Sequence, residues 1–171
     1  MKPRTDLEKL KRISAIGGIA MAVVAVVLMA SAAFMVCGMG MALIDPSAFE
    51  GVQVEGFDGL TQSQALALFA FAMLVFGAMS VTFWTLSRIM TAISREYSPF
   101  TQDNVVRLTR IAYVFLGVSA VLLVLGLVTS ARLDSVVSTI IVFLVAAVGV
   151  YSMALIFRYG AALQKESDET L

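Results

Sequence analysis

The residues whose types come nearest to a reactive set are Met35, Cys37, Met39 and Met41, in the stretch MVCGMGM. Thioether and thiolate sulfurs suit Cu(I). At about 100° per helical residue, however, Met35 and Met39 share one face while Cys37 and Met41 lie nearly opposite, so one helix does not converge three of them. Packing against irregular neighbours is the expected role of these methionines. The chain contains no histidine, and the usual general base is therefore absent. Within the apolar stretches no Ser-Lys pair or carboxylate pair occurs, which leaves Ser152 and Tyr151 as isolated hydroxyls. Nor do those stretches carry the ionisable residues that mark proton relays and ion pathways. The expectation is a protein that is not an enzyme and that holds no cofactor or metal.

The elements that carry these residues follow from composition. Of 171 residues, 60% are hydrophobic and 14% charged, and the mean hydropathy is +0.93, far from a soluble domain. Four stretches lack Asp, Glu, Lys and Arg: 13–44, 59–87, 111–131 and 135–157. Each reaches the roughly 20 helical residues that a hydrocarbon core of about 30 Å requires. The expected fold is an all-α integral membrane protein, a four-helix antiparallel transmembrane bundle. Its single domain, 1–171, has spans over 13–38, 64–90, 109–130 and 136–159. A secretory leader is disfavoured, because its apolar region runs about 7 to 15 residues and this one runs over 13–44.

Charge orients the bundle. With both termini cytoplasmic, eleven basic and seven acidic side chains lie inside, and Arg132 faces five acids outside. The positive-inside rule favours that arrangement, and the expected location is a cytoplasmic membrane crossed in several passes. The outer loop then covers 45–63, a cytoplasmic loop 94–106 and a cytoplasmic tail 161–171. Thr5 and Glu8 have the spacing of a capping box, so the first helix is expected to begin before it meets lipid. The segment VQVEGF in the outer loop alternates as a short extended strand does.

The stretch SREYSPFTQDNVVRLTR, residues 94–110, reads as a chain reversal. Pro99 stops one helix. Thr101 caps the next, Asp103 complements its dipole, and Phe100 with Val105 forms a hydrophobic staple. Asp103 is expected to pair with Arg107 or Arg110, and Val105, Leu108, Ala112 and Phe115 form the inward stripe. Gly17, Gly38 and Gly40, with neighbouring alanines, are candidates for close helix packing.

The segments SPFTQDNVVRLTRIAYVFLG and IFRYGAALQKESDETL resemble a bacterial four-span membrane family catalogued as domain of unknown function 2975. The matching positions are Pro99, Phe100, Asn104, Arg107, Leu108, Arg110 and Ile111, then Phe157, Arg158, Gly160, Leu163, Asp168 and Thr170. Relatives that neighbour small helix-turn-helix repressors imply a membrane partner for a cytoplasmic transcription regulator. The function expected is therefore a membrane regulatory or scaffold protein. Its candidate cytoplasmic interaction residues are Pro99, Phe100, Asn104, Arg107, Arg110, Arg158 and Asp168. The alternative is an accessory subunit of a membrane complex or a small transport-related protein. Expected partners are membrane lipids, a cytoplasmic regulator or second membrane protein, and a further copy of the chain; direct nucleic-acid binding is not expected. Arg107, Arg110 and Arg158 are expected to share one basic patch, onto which the acidic tail folds back.

Overall fold

The computed structural model describes residues 3–49, 61–96, 99–129 and 133–169. It is all helical there: α1 (Pro3–Ile44), one 3-10 turn (Pro46–Phe49), α2 (Gln62–Glu96), α3 (Gln102–Thr129) and α4 (Leu133–Glu169). All four long helices are long and apolar enough to cross a membrane. They overrun the spans expected from bilayer thickness at one or both ends. The connection expected over 94–106 contracts to the five residues between Glu96 and Gln102. α1 is already helical at Pro3, two residues before the expected cap at Thr5. The segment VQVEGF lies outside the described residues.

Contacts run antiparallel between chain neighbours. Gly18 meets Ser87 and Thr91, Gly38 meets Phe69, and Gly126 meets Val136. Both termini of the described chain, the end of α2 and the start of α3 therefore share one end of the bundle. α2, α3 and α4 have a common core. Ala78, Ile111, Phe115, Phe143 and Ala147 form one cluster, and Ile89, Leu108 and Ala154 another. Phe115 and Phe143 meet edge to face at 5.2 Å. The inward stripe of α3 read from the sequence is buried throughout: Val105, Leu108, Ala112 and Phe115.

α1 stands apart from that core. It packs on α2 and on the 3-10 turn, and only 6% of its most apolar window is buried, against 33% for α3. Its covered residues recur at alternating steps of four and three from Ser14 through Gly18 and Ala25 to Ala42, the period of a left-handed coiled seam. Small side chains at Gly18 and Ala25 bring the backbones close enough for hydroxyls to cross. Ser80 Oγ donates to Ala25 O at 2.8 Å, and Ser87 Oγ to Gly18 O at 2.7 Å. Most other Ser and Thr hydroxyls of the spans return to their own helix, as Thr82 does to Ala78 O and Ser119 to Phe115 O.

Of the three glycines expected to pack, Gly38 lies against Phe69, whose Cε1 would be 2.5 Å from an added Cβ. Gly17 and Gly40 have nothing within 4 Å. The correction is one of helical phase: Gly17 stands about 100° from the seam, and its neighbour Gly18 occupies the seam instead. Met35 and Met39 are half-buried on the α2 side, whereas Cys37 and Met41 are exposed.

The far end of the α1–α2 hairpin is closed by polar caps. Asp45 Oδ1 accepts from Ser47 N and Oγ at 3.1 and 2.6 Å. Thr61 and Gln64 form a reciprocal capping box, with Gln64 Oε1 accepting from Thr61 N at 3.0 Å and Thr61 Oγ1 from Gln64 N at 3.4 Å. Gln62 Nε2 donates to Ala42 O at 3.1 Å.

Gly18→Leu should destabilise the bundle by about 1–3 kcal/mol through overpacking, while Gly17→Leu stays within about 0.5 kcal/mol. Ser80→Ala and Ser87→Ala should each cost about 0.6 kcal/mol, the usual size of an interhelical polar contact in lipid. Equilibrium unfolding in detergent micelles measures all four.

Candidate functional site

The candidate residues lie at the end that holds both termini: Asn104 is buried, Pro99 and Arg107 are half-buried, and Phe100, Arg110 and Arg158 are exposed. Pro99 ends the ladder of α2, and Thr101 opens α3: its Oγ1 accepts from Asn104 N at 3.3 Å, and its carbonyl from Asn104 N and Val105 N at 3.1 Å each. Asn104 is 0% exposed. Its Nδ2 donates to Pro99 O at 3.1 Å, and its Oδ1 accepts from Arg107 Nη1 at 3.0 Å. The same Nη1 donates to Arg88 O at 3.3 Å. One amide thus joins the turn, the first coil of α3 and, through Arg107, the last turns of α2.

Phe100 completes the arrangement from the other side. Its ring meets Phe157 of α4 edge to face at 5.4 Å. It also covers Gly160, where an added Cβ would lie 2.6 Å from Phe100 Cδ1. A side chain at position 160 would displace the ring, so the glycine is required by this contact. Phe100 thus links the start of α3 to α4.

The placement corrects two expectations, on Asp103 and on the tail. Pro99, Phe100, Asn104 and Arg107 each take part in an internal junction, with a partner within the chain. Asp103 pairs with neither Arg107 nor Arg110; Arg107 is held by the neutral oxygen of Asn104 instead. The Phe100–Phe157 contact sets Arg158 level with the start of α3, and Arg110 lies eight residues beyond Gln102, about 12 Å along the axis at 1.5 Å per residue, with Arg107 between them. The tail does not fold back, since α4 is helical through Glu169 and carries its own Lys165–Glu169 pair at 3.6 Å. The side chain of Asp168 lies outside the described residues.

Arg110 and Arg158 are exposed. Arg88 stacks over Trp84, its guanidinium carbon 5.9 Å from the ring centroid. Ser152 Oγ donates to Val148 O of its own helix at 2.9 Å. Among the described residues, no group of three His, Cys, Asp or Glu side chains is placed to hold a metal ion.

Four apolar helices with a polar junction at one end define a multi-pass membrane bundle. The chain belongs to the family described as Protein of unknown function (DUF2975), which matches residues 47–171. The comparisons with curated proteins and with solved structures give no match.

The serines of the α1–α2 seam and the Thr61–Gln64 box were missed in the sequence, although both had a signal. Ser80 and Ser87 are seven apart, as are Gly18 and Ala25, and T-x-x-Q precedes an apolar run.

Asn104→Ala should cost about 2 kcal/mol, since it removes the donor to Pro99 O and an acceptor of Arg107 in a buried setting. Arg158→Ala, which breaks no described bond, should stay within about 0.5 kcal/mol. Chemical denaturation followed by circular dichroism separates the two.

Proposed function

We propose that this protein is a non-enzymatic regulatory or scaffold protein of a bacterial cytoplasmic membrane, whose inner face binds a cytoplasmic partner. The observation that carries the reading is the continuation of α4 as ordered helix beyond the junction. From Arg158 to Glu169 it extends for about 18 Å, with Lys165, Glu166 and Glu169 all exposed. α1 begins at the same end with Glu8, Lys9, Lys11 and Arg12 on exposed positions. Two polar helical arms beyond the apolar spans offer a folded surface to a soluble protein, and the excess of basic residues at that end supports its being the inner one. A small helix-turn-helix regulator is the partner implied by the resemblance.

A second reading, an accessory subunit of a membrane complex or a small transport-related protein, is favoured by the outer side of α1. Gly17 and Gly40 have open space where a side chain would stand, which permits the backbone of another helix to approach.

Tagged full-length protein purified in mild detergent should retain a soluble DNA-binding protein, and a chain truncated after Gly160 should lose it while still inserting. Retention of a polytopic membrane protein by both forms would replace the first reading with the second. Cysteine labelling that reaches residues 161–171 only from outside the cell would overturn the orientation.

A further inference from the structure

Arg110 is an exposed guanidinium that makes no ion pair or hydrogen bond to any described residue, whereas Arg107 donates to Asn104 Oδ1 and Arg88 O. It stands in a shallow groove of about 500 Å³ lined by Val105, Val106, Thr109, Arg110, Tyr113 and Val114. The groove faces away from the bundle core, with Val106 55% and Tyr113 63% exposed. Most of its surface is hydrocarbon. Its polar groups are the Arg110 guanidinium, the Tyr113 hydroxyl and Thr109 Oγ1, whose own proton goes to Val105 O at 2.9 Å.

Depth decides what fits there. Arg110 is the last charged residue before the uncharged stretch 111–131. The clusters that join Ile111 to Ala78 and Ala147, and Leu108 to Ile89 and Ala154, set it opposite the segments that carry Trp84 with Arg88 and Tyr151. Trp84, Tyr113 and Tyr151 are all exposed and together form an aromatic belt of the kind found at the headgroup level. Side chains lean toward the start of their helix, so Arg110 and Tyr113 both reach toward the terminal end while their stems border hydrocarbon. A cation without an acceptor among the described residues at that depth matches a phosphodiester, and the apolar walls match the carbon attached to it.

We propose that this groove binds one anionic phospholipid. Its phosphodiester lies on Arg110 and its glycerol and acyl carbons lie against Val106, Tyr113 and Val114. A lipid with a net negative headgroup is selected because no described residue compensates the cation. A free phosphate would leave the apolar walls empty.

Native mass spectrometry of the full-length protein, released from detergent and titrated with phosphatidylglycerol or phosphatidylcholine, tests this. The wild-type chain should retain one phosphatidylglycerol in preference to phosphatidylcholine. Arg110→Gln should weaken phosphatidylglycerol retention about tenfold, as loss of a hydrogen bond to a charged group does. Val106→Trp, which fills the groove without changing charge, should weaken it comparably, and Arg158→Gln, an equal charge loss outside the groove, should leave it unchanged. Equal effects of Arg110→Gln and Arg158→Gln, or no effect of Val106→Trp, would overturn the site. Competition by glycerol phosphate at the same concentration as the lipid would reduce it to a bare anion contact and overturn the lipid assignment.

Discussion

The buried amide of Asn104 is the constraint on which the arrangement of α2, α3 and α4 depends. A carbonyl or donor buried away from water costs free energy unless it is paired, and a proline turn between two helices leaves carbonyls without a helical partner. Asn104 supplies the donor to Pro99 O, and its oxygen steers Arg107 onto Arg88 O. The turn, the end of α2 and the start of α3 are then held as one piece. With α3 so oriented, its stripe of Val105, Leu108, Ala112 and Phe115 points inward, and Phe100 is presented to Phe157 and Gly160. The position of α4 follows from the same amide, two contacts removed.

α1 is held by different physics. Lipid tails are as apolar as its side chains, so burial supplies little drive to leave them, and close packing and crossing hydrogen bonds must supply it. Gly18 and Ala25 allow the approach, and Ser87 and Ser80 use it. Residues 47–171, which match the family, take in α2, α3 and α4, the three helices with a shared core. The helix outside that match is the one outside that core. The bundle therefore consists of a three-helix unit locked by a polar junction and a fourth helix attached along a small-residue seam.

Much of this was legible in the sequence wherever the cause was local. Four uncharged stretches gave the helices, Thr101 its cap, and the spacing of Val105, Leu108, Ala112 and Phe115 the buried face. What was not legible depends on groups distant along the chain. An Asn three residues after a cap reads as surface polarity, and nothing nearby reveals that Pro99 O and Arg107 enclose it. Gly17 and Gly18 are indistinguishable in composition, and only the phase of the seam with α2 separates them. Ser80 and Ser87 look like the many hydroxyls that bond their own helix. The acidic end of α4 reads as a loose tail, because charge density says nothing of a helix already nucleated from Leu133 onward.

The distinction between internal and external residues also changes what the family resemblance means for function. Pro99, Phe100, Asn104 and Arg107 each satisfy a partner within the chain, and Phe157 and Gly160 receive Phe100; such residues mark a way of folding. They would be needed whatever the protein recognised. Arg110 and Arg158 belong to the same segments yet hold nothing in place among the described residues. Arg110 has no anion beside it among the described residues, and its guanidinium is exposed, so it contributes to the surface beside the junction and not to the junction itself.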